Sequence, residues 1–188
     1  KYKIISWSLD LIFAAAVIVW VRGEVDLGSI LIFLIWGCIQ FNAHRLSNDA
    51  RMPAIMVVVA AIGLATIAWI GDILADRNLA FGVSSTGLGF LVWLWFKRDL
   101  PLGFSFFWSS FTALLLIALR VIEANPLMAV PILILGFVFF TDSILSQKKL
   151  WPTFFKQFAA PIIVCALSIL PIVLASASAL VATTLINY

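Results

Sequence analysis

Two aspartates stand inside long apolar runs of this sequence, where an ionisable side chain is costly. Asp10 lies about two helical turns into the first run, and Asp142 lies near the end of a later one. A carboxyl group in poorly solvated surroundings can exchange a proton or hold a cation. Together with the hydroxyls of Thr141 and Ser143, the two aspartates form a candidate transport or proton site. The alternative is that each carboxylate hydrogen-bonds a neighbouring helix or reaches headgroup water.

A second group of charges lies at the opposite ends of the apolar runs. Asp72 and Arg120 each stand near the end of a run, and we expect them to form an ion pair between two helices. Three further charged residues are alternative partners, namely Asp76, Arg77 and Glu123. Such a pair would act as a structural tie between helices or as a gate.

The longest polar connector, residues 146–157, is a candidate docking surface. It carries Lys148, Lys149, Trp151 and Lys156, which combine positive charge with one large aromatic ring. Because it is the longest connector on the predicted cytoplasmic side, it is the natural place for another protein subunit to bind. It would be the functional surface if the chain anchored a larger membrane assembly.

Signals for catalysis and for metal binding are missing from the sequence. His44 is the single histidine, and Cys38 and Cys165 each stand alone in an apolar run. Haem, zinc and nucleophile motifs need such residues in pairs or at fixed spacing. Nucleic-acid binding would need a concentrated basic face, and the sequence has none. We therefore expect no enzyme activity, no catalytic residues, no cofactor, no metal and no nucleic-acid partner.

The elements that must position these residues are long apolar helices. Hydrophobic residues make up 64% of the chain and charged residues 11%. In water, a single core could not bury that many apolar side chains, whereas in a bilayer the lipid would surround those on the outer surface. The composition predicts an all-α, polytopic transmembrane helix bundle that forms a single domain over residues 1–188. The expected spans are 4–21, 27–41, 53–74, 79–96, 104–122, 127–145 and 158–186.

Basic residues predict the orientation of this bundle. Nine of the twelve lysines and arginines fall at the amino terminus or in the connectors after the even-numbered spans. Because short cytoplasmic loops are enriched in Lys and Arg, we expect the amino terminus in the cytoplasm and, after seven spans, the carboxyl terminus outside. The expected location is the plasma (inner) membrane of a bacterium.

Three connectors on the predicted cytoplasmic side each end in a proline, at Pro53, Pro101 and Pro152. Proline suits the first turn of a helix, because the N–H that it lacks would be unpaired there. This spacing predicts three helical hairpins followed by a closing helix. The closing segment contains Pro161 and Pro171 and is predicted to be one bent helix rather than two spans.

Two functions of different class fit these observations. The first is a small-solute or ion transporter, or a channel-like protein, that works as a homo-oligomer and uses the aspartate site. The second is a non-catalytic subunit that anchors or scaffolds other membrane subunits through residues 146–157. Small residues at 175–179 and in the fourth span favour close packing within the chain, with a subunit interface as the alternative.

Overall fold

The described part of the chain is entirely helical in the computed structural model, which covers residues 2–45, 51–96, 104–141 and 153–186. No strand occurs in these stretches, so the all-helical class is confirmed for them. The seventh helix runs unbroken through both of its prolines, as its length predicted. The helices are α1 (Tyr2–Arg22), α2 (Leu27–Arg45), α3 (Arg51–Ile70), α4 (Leu74–Phe96), α5 (Phe104–Ala124), α6 (Ala129–Gly136) and α7 (Thr153–Ile186).

Two described stretches are both long and apolar enough to cross a bilayer by length and composition. They are Pro53–Ile70, which is mostly buried within the protein, and Ala166–Thr184, which is mostly exposed. A buried core helix of a water-soluble protein passes the same test. The burial of Pro53–Ile70 therefore does not distinguish a membrane-spanning helix from such a core helix. Three shorter apolar stretches are Leu11–Arg22, Leu27–Asn42 and Pro126–Phe140.

Helix α3 lies at the centre of the bundle and packs most extensively against α4 and α7. Small side chains line it at almost every turn, and most are fully buried, including Ala54, Ala61 and Ala65. The partner face of α7 is also made of small residues, with Ala175 and Ala179 fully buried. Small residues allow helix backbones to approach closely, so these positions serve packing within the chain.

Two glycines mark the closest approaches to α3. A Cβ atom placed on Gly87 of α4 would lie 2.6 Å from Val58 Cγ2, and one placed on Gly63 of α3 would lie 2.3 Å from Leu135 Cδ1 of α6. Both distances are shorter than van der Waals contact allows. The approach of α4 to the central helix therefore favours glycine at position 87, where the neighbour is a stiff valine, whereas at Gly63 the flexible Leu135 side chain would have to move.

The predicted third hairpin differs from the first two. Helices α1 and α2 pack against each other, as do α3 and α4, whereas α5 packs against α1 and α4, and α6 packs against α3 and α7. The sixth element is also irregular, because α6 lies between two 3₁₀ segments, Pro126–Met128 and Phe137–Phe140. In the described residues the predicted third hairpin is therefore not a closely packed helix pair, because its arms diverge after their connecting turn.

Adding a methyl group at Gly87 should destabilise the bundle. The Gly87→Ala side chain would collide with Val58, whose branched side chain is stiff, and overpacking of this kind costs about 1–3 kcal/mol. Gly82→Ala is the matched control in the same helix, because nothing lies within 4 Å of its added Cβ. We expect the control to keep or raise stability by up to about 1 kcal/mol.

The measurement is the free energy of unfolding of each purified variant in detergent. Equal stability of Gly87→Ala and Gly82→Ala would show that α3 and α4 do not approach as described.

Candidate functional site

A cavity in the described structure lies where α2, α5 and α6 diverge in front of α3. Its volume is about 460 Å³, within the range of about 300–1,000 Å³ that small-molecule sites occupy. Its walls are almost entirely aliphatic and aromatic, contributed among others by Ile35 and Trp36 of α2, Leu64 of α3, Leu114 of α5 and Leu133 of α6. A cavity with such walls favours an apolar occupant over water or ions.

Three aromatic rings lie together beside the cavity, and two of them, Trp36 and Phe139, line it. The ring centroids of Trp36 and Phe111 are 5.9 Å apart in an edge-to-face arrangement, and those of Phe111 and Phe139 are 5.3 Å apart. All three side chains are buried, and Trp36 Nε1 has no hydrogen-bond partner. Asn42 Nδ2 donates to the carbonyl oxygen of Phe139, which ties α2 to the 3₁₀ segment. We call Trp36, Phe111 and Phe139 the aromatic floor.

Arg22 lies at the other end of the cavity. Its Nη2 atom donates to Asp26 Oδ2 at 2.7 Å, and Gly28 leaves room for this ion pair, since a Cβ there would lie 3.3 Å from Asp26 Oδ2. Gly23 adopts a positive φ of 72°, and its N–H donates to the Val19 carbonyl, which ends α1 and turns the chain toward α2. The Arg22 Nε atom is buried and has no hydrogen-bond partner.

Asp26 caps the amino terminus of α2. Its Oδ1 atom accepts hydrogen bonds from the Ser29 hydroxyl at 2.6 Å and from the Ser29 backbone N–H at 2.7 Å. These two bonds, reinforced by Arg22, lower the pKa of Asp26 from 3.8 to about 2. The Asp26 carboxylate therefore remains charged at neutral pH and holds the Arg22 guanidinium in place.

The cavity reaches the surface of the bundle through the gap between α2 and α6. Leu31, Ile35 and Leu133 line the cavity and are also 52%, 41% and 48% exposed. These residues form the rim of an opening in the side of the bundle. The cavity is thus bounded by Arg22 at one end, the aromatic floor at the other and an apolar opening between them.

The ion pair predicted between Asp72 and Arg120 is formed with another aspartate. Arg120 Nε lies 3.1 Å from Asp76 Oδ1, and Asp76 is buried in the first turn of α4. The contact is Coulombic rather than an aligned hydrogen bond, because Asp76 Oδ1 has no partner of good hydrogen-bond geometry. The pair links α4 to α5, and a carboxylate in a first helical turn is also stabilised by the helix dipole.

Asp72 instead forms the turn between α3 and α4. Its φ is 57°, its N–H donates to the Trp69 carbonyl, and the Ile73 N–H donates to the Ala68 carbonyl. These bonds are those of a Schellman motif, in which the left-handed position is usually occupied by glycine. Asp72 is exposed in this turn, so the prediction that it pairs with Arg120 is wrong.

The predicted aspartate site falls largely outside the described residues. Asp142 and Ser143 lie outside them, and Asp10 belongs to α1 but its side chain is not among those described. Thr141 is buried, and its hydroxyl donates to the Val138 carbonyl at 2.8 Å and lies 3.5 Å from Ser168 Oγ. In the described stretches α1 packs mainly against α2 and α5, and α6 against α3 and α7. A shared site of Asp10 and Asp142 therefore stays a prediction.

The predicted docking surface also stays a prediction. Lys148, Lys149 and Trp151 lie outside the described residues. Lys156 belongs to α7, and its side chain is not among those described.

Analysis of the sequence missed Arg22 and the aromatic floor as functional candidates. The one available signal was Trp36, which stands deep inside an apolar run although tryptophans of such helices usually lie near their ends. Nothing in the sequence pattern indicates that Phe111 and Phe139 lie beside it.

The charge of Asp26 should stabilise the fold in a pH-dependent way. Asp26→Asn keeps an oxygen that can cap α2 but loses the charge. Because folding lowers the pKa of Asp26 from 3.8 to about 2, its stabilising contribution is present above pH 3.8 and is lost as the pH falls from 3.8 through about 2. We expect Asp26→Asn to be less stable than the wild type at pH 5 and equally stable near pH 2.

Thermal unfolding of the purified proteins in detergent, followed by helical circular dichroism at both pH values, measures this difference. Glu24→Gln removes an exposed carboxylate from the same connector and should match the wild type at both. If Asp26→Asn is less stable than the wild type by the same amount at both pH values, the lost charge is not the cause.

Comparisons with known proteins leave the site to be interpreted from its own geometry. No protein-family model matches the chain, and neither a curated protein nor a solved structure does. No residue role can therefore be transferred to the cavity from a relative. Its apolar walls, the aromatic floor and Arg22 are the observations on which a function must be argued.

Proposed function

We propose that the protein is a polytopic integral membrane protein of about seven spans that works as a transporter of an apolar small solute. The cavity between α2, α5 and α6 is the solute site in this proposal. The observation that carries it is the combination of apolar walls with an apolar opening in the side of the bundle. A solute dissolved in the hydrocarbon of a bilayer would meet that opening directly.

The outer surface of the bundle supports a membrane location. Large apolar side chains are exposed on α1, α2, α3, α4, α6 and α7, though not on the described part of α5, and soluble monomers rarely expose contiguous apolar patches of more than a few hundred Å². Helix α7 shows the pattern most clearly, since its described side chains include seven such residues: Leu167, Ile169, Leu170, Val173, Leu174, Leu180 and Val181. In a bilayer, lipid instead of water would surround these side chains, so their exposure would not cost hydrophobic free energy.

The positions of the tryptophans agree with this environment. Trp20 and Trp69 lie near the ends of α1 and α3 that meet the connectors at 23–26 and 71–73, and both are more than half exposed. Trp93 is also exposed and lies near the opposite end of the bundle. Indole rings favour the two interfaces of a bilayer, so these positions are consistent with helices that cross it.

The apolar walls of the cavity favour one class of solute, whereas the sequence alone did not identify a class. An ion or a polar solute needs hydrogen-bond partners or opposite charges along its path, because desolvation is otherwise costly. The cavity walls provide almost none of these between Arg22 and the aromatic floor. An apolar solute therefore fits this cavity better than an ion does, and the predicted homo-oligomer is not needed to complete the site.

The irregular sixth element fits a transport role. A carrier must open the closed end of its site at some point in its cycle. The floor residue Phe139 belongs to the 3₁₀ segment Phe137–Phe140, and 3₁₀ segments within longer helices often mark hinges. Rotation of this segment would displace Phe139 from Phe111 and open the cavity toward the predicted cytoplasmic side.

The predicted topology can be tested by labelling single cysteines in intact bacterial cells. In a background with Cys38→Ala and Cys165→Ala, Glu24→Cys should react with a membrane-impermeant maleimide before permeabilisation, because its connector is predicted to lie outside. Arg98→Cys should react only after permeabilisation.

Tyr188→Cys extends this test to the carboxyl terminus, which seven spans place outside. Labelling of Arg98→Cys before permeabilisation, or protection of Tyr188→Cys, would rule out the seven-span orientation. Reaction of all three sites in a protein released without detergent would rule out membrane insertion.

Binding of an apolar solute can be tested with 1-bromododecane, whose bromine quenches tryptophan fluorescence on contact. Trp36 lines the cavity, so 1-bromododecane bound there should quench its fluorescence until the site is saturated. 1-Bromododecane dissolved in the detergent micelle should add a second component, which rises linearly with its concentration. Trp36→Phe should remove the saturable component. The matched variant Trp93→Phe changes an exposed tryptophan of α4 and should leave it unchanged.

Ala118→Phe provides an independent variant, because Ala118 lines the cavity and a larger side chain would occupy part of it. Saturable quenching should weaken in this variant. Its absence from the wild type, or its persistence in Trp36→Phe, would contradict the cavity as a solute site.

A further inference from the structure

The opening of the cavity faces sideways rather than along the bundle axis. Its rim is formed by Leu31 and Ile35 of α2 and by Leu133 of α6, which are exposed and apolar. If the bundle spans a bilayer, as proposed above, this rim lies at the depth of the lipid chains. The molecules that reach such an opening most often are the lipids themselves.

We infer that the occupant is a phospholipid, with one acyl chain in the cavity and its phosphate at Arg22. This inference rests on the proposed function and names the class of solute. It commits to a lipid that carries a phosphate, as opposed to an apolar molecule without a charged headgroup.

The dimensions of the cavity fit a single hydrocarbon chain. The lining residues of α2 extend from Gly28 to Ile39, which corresponds to a depth of about 16 Å along the helix. A volume of about 460 Å³ over that depth gives a mean cross-section of roughly 30 Å², which is wide enough for one chain. The long, apolar shape suits an alkyl chain better than a compact solute.

Arg22 lies where the headgroup of such a lipid would be. It occupies the last turn of α1, beside the connector that enters α2, and so lies at the interface end of the cavity. Its Nε atom is buried without a hydrogen-bond partner, although guanidinium donors are costly to leave unpaired. A phosphate at the exposed part of the guanidinium would add to its bonding, since arginine and phosphate form strong charge-assisted hydrogen bonds.

Asp26 positions Arg22 without satisfying all of its donors. The Asp26 carboxylate bonds Arg22 through Nη2, and its other oxygen is engaged by Ser29. The guanidinium is therefore fixed beside Gly28, and the Arg22 side chain is still 29% exposed, which leaves part of it for a phosphate to reach. Glu24 is exposed on the same connector and would lie near the ammonium group of a zwitterionic headgroup.

The test compares two lipids with identical acyl chains, phosphatidylethanolamine and diacylglycerol, which differ by the phosphate headgroup. The purified full chain is incubated with an equimolar mixture and passed through size exclusion after detergent exchange. The retained lipid is quantified by mass spectrometry. We expect the wild type to retain phosphatidylethanolamine over diacylglycerol by about tenfold, the ratio typical of one charge-assisted hydrogen bond.

Arg22→Gln should lose this preference, and Arg77→Gln should keep it, because Arg77 carries the same charge near the same end of the bundle but does not line the cavity. Saturable quenching by 1-bromododecane in Arg22→Gln shows that its cavity is intact. Equal retention of the two lipids by the wild type overturns the inference whether or not the variant folds. So does a preference that persists in Arg22→Gln.

The two proposals fail in different ways. If 1-bromododecane shows saturable quenching but the lipids are retained equally, the apolar site stands and the phosphate at Arg22 does not. If neither lipid is retained and no saturable quenching occurs in the wild type, both proposals are wrong.

Discussion

The architecture depends on how closely other helices can approach α3. Gly87 brings α4 against Val58, and Gly63 brings Leu135 of α6 against the central helix. Small side chains on α7 complete this packed half of the bundle. Because α6 packs against α3 and α7, it lies away from α5, to which the preceding turn connects it. The cavity is the space that this separation leaves, so the packing that stabilises one side of the molecule also produces the site on the other.

The two ends of the cavity are built by different kinds of interaction. At one end, the caps of α1 and α2 fix an ion pair, because Gly23 ends the first helix and Asp26 begins the second. At the other end, three buried rings contact one another across α2, α5 and the 3₁₀ segment that follows α6. The polar end is held by local bonds within one connector. The aromatic end depends on residues far apart in the chain, and it is therefore the end more sensitive to a change in helix packing.

Local patterns were sufficient to predict the helices but not their neighbours. Apolar runs located all seven helices, although the sixth run extended to residue 145 whereas α6 ends at Gly136, and Pro53 correctly indicated the first turn of α3. The third run extended too far, to Leu74, because Asp72 ends α3 by adopting a left-handed conformation that its type only tolerates. For the same reason Arg120 pairs with Asp76, one of the alternative partners expected from the sequence, since Asp72 is exposed in the turn and Asp76 lies in the first turn of α4. The cavity could not be predicted from the sequence, because it depends on which helices do not pack against each other.

The irregularity of the sixth element connects this packing to a function. An α-helix over Pro126–Phe140 would keep one regular ladder of hydrogen bonds, but the chain forms a short helix between two 3₁₀ segments. Asn42 donates to the Phe139 carbonyl, so a side chain of α2 stabilises the altered backbone from outside the element. A backbone held partly by a neighbouring side chain can rearrange when that neighbour moves, without breaking its own helix. Phe139 of the aromatic floor thus lies on a described element whose backbone departs from a regular α-helix, which is where the proposed carrier would need its closed end.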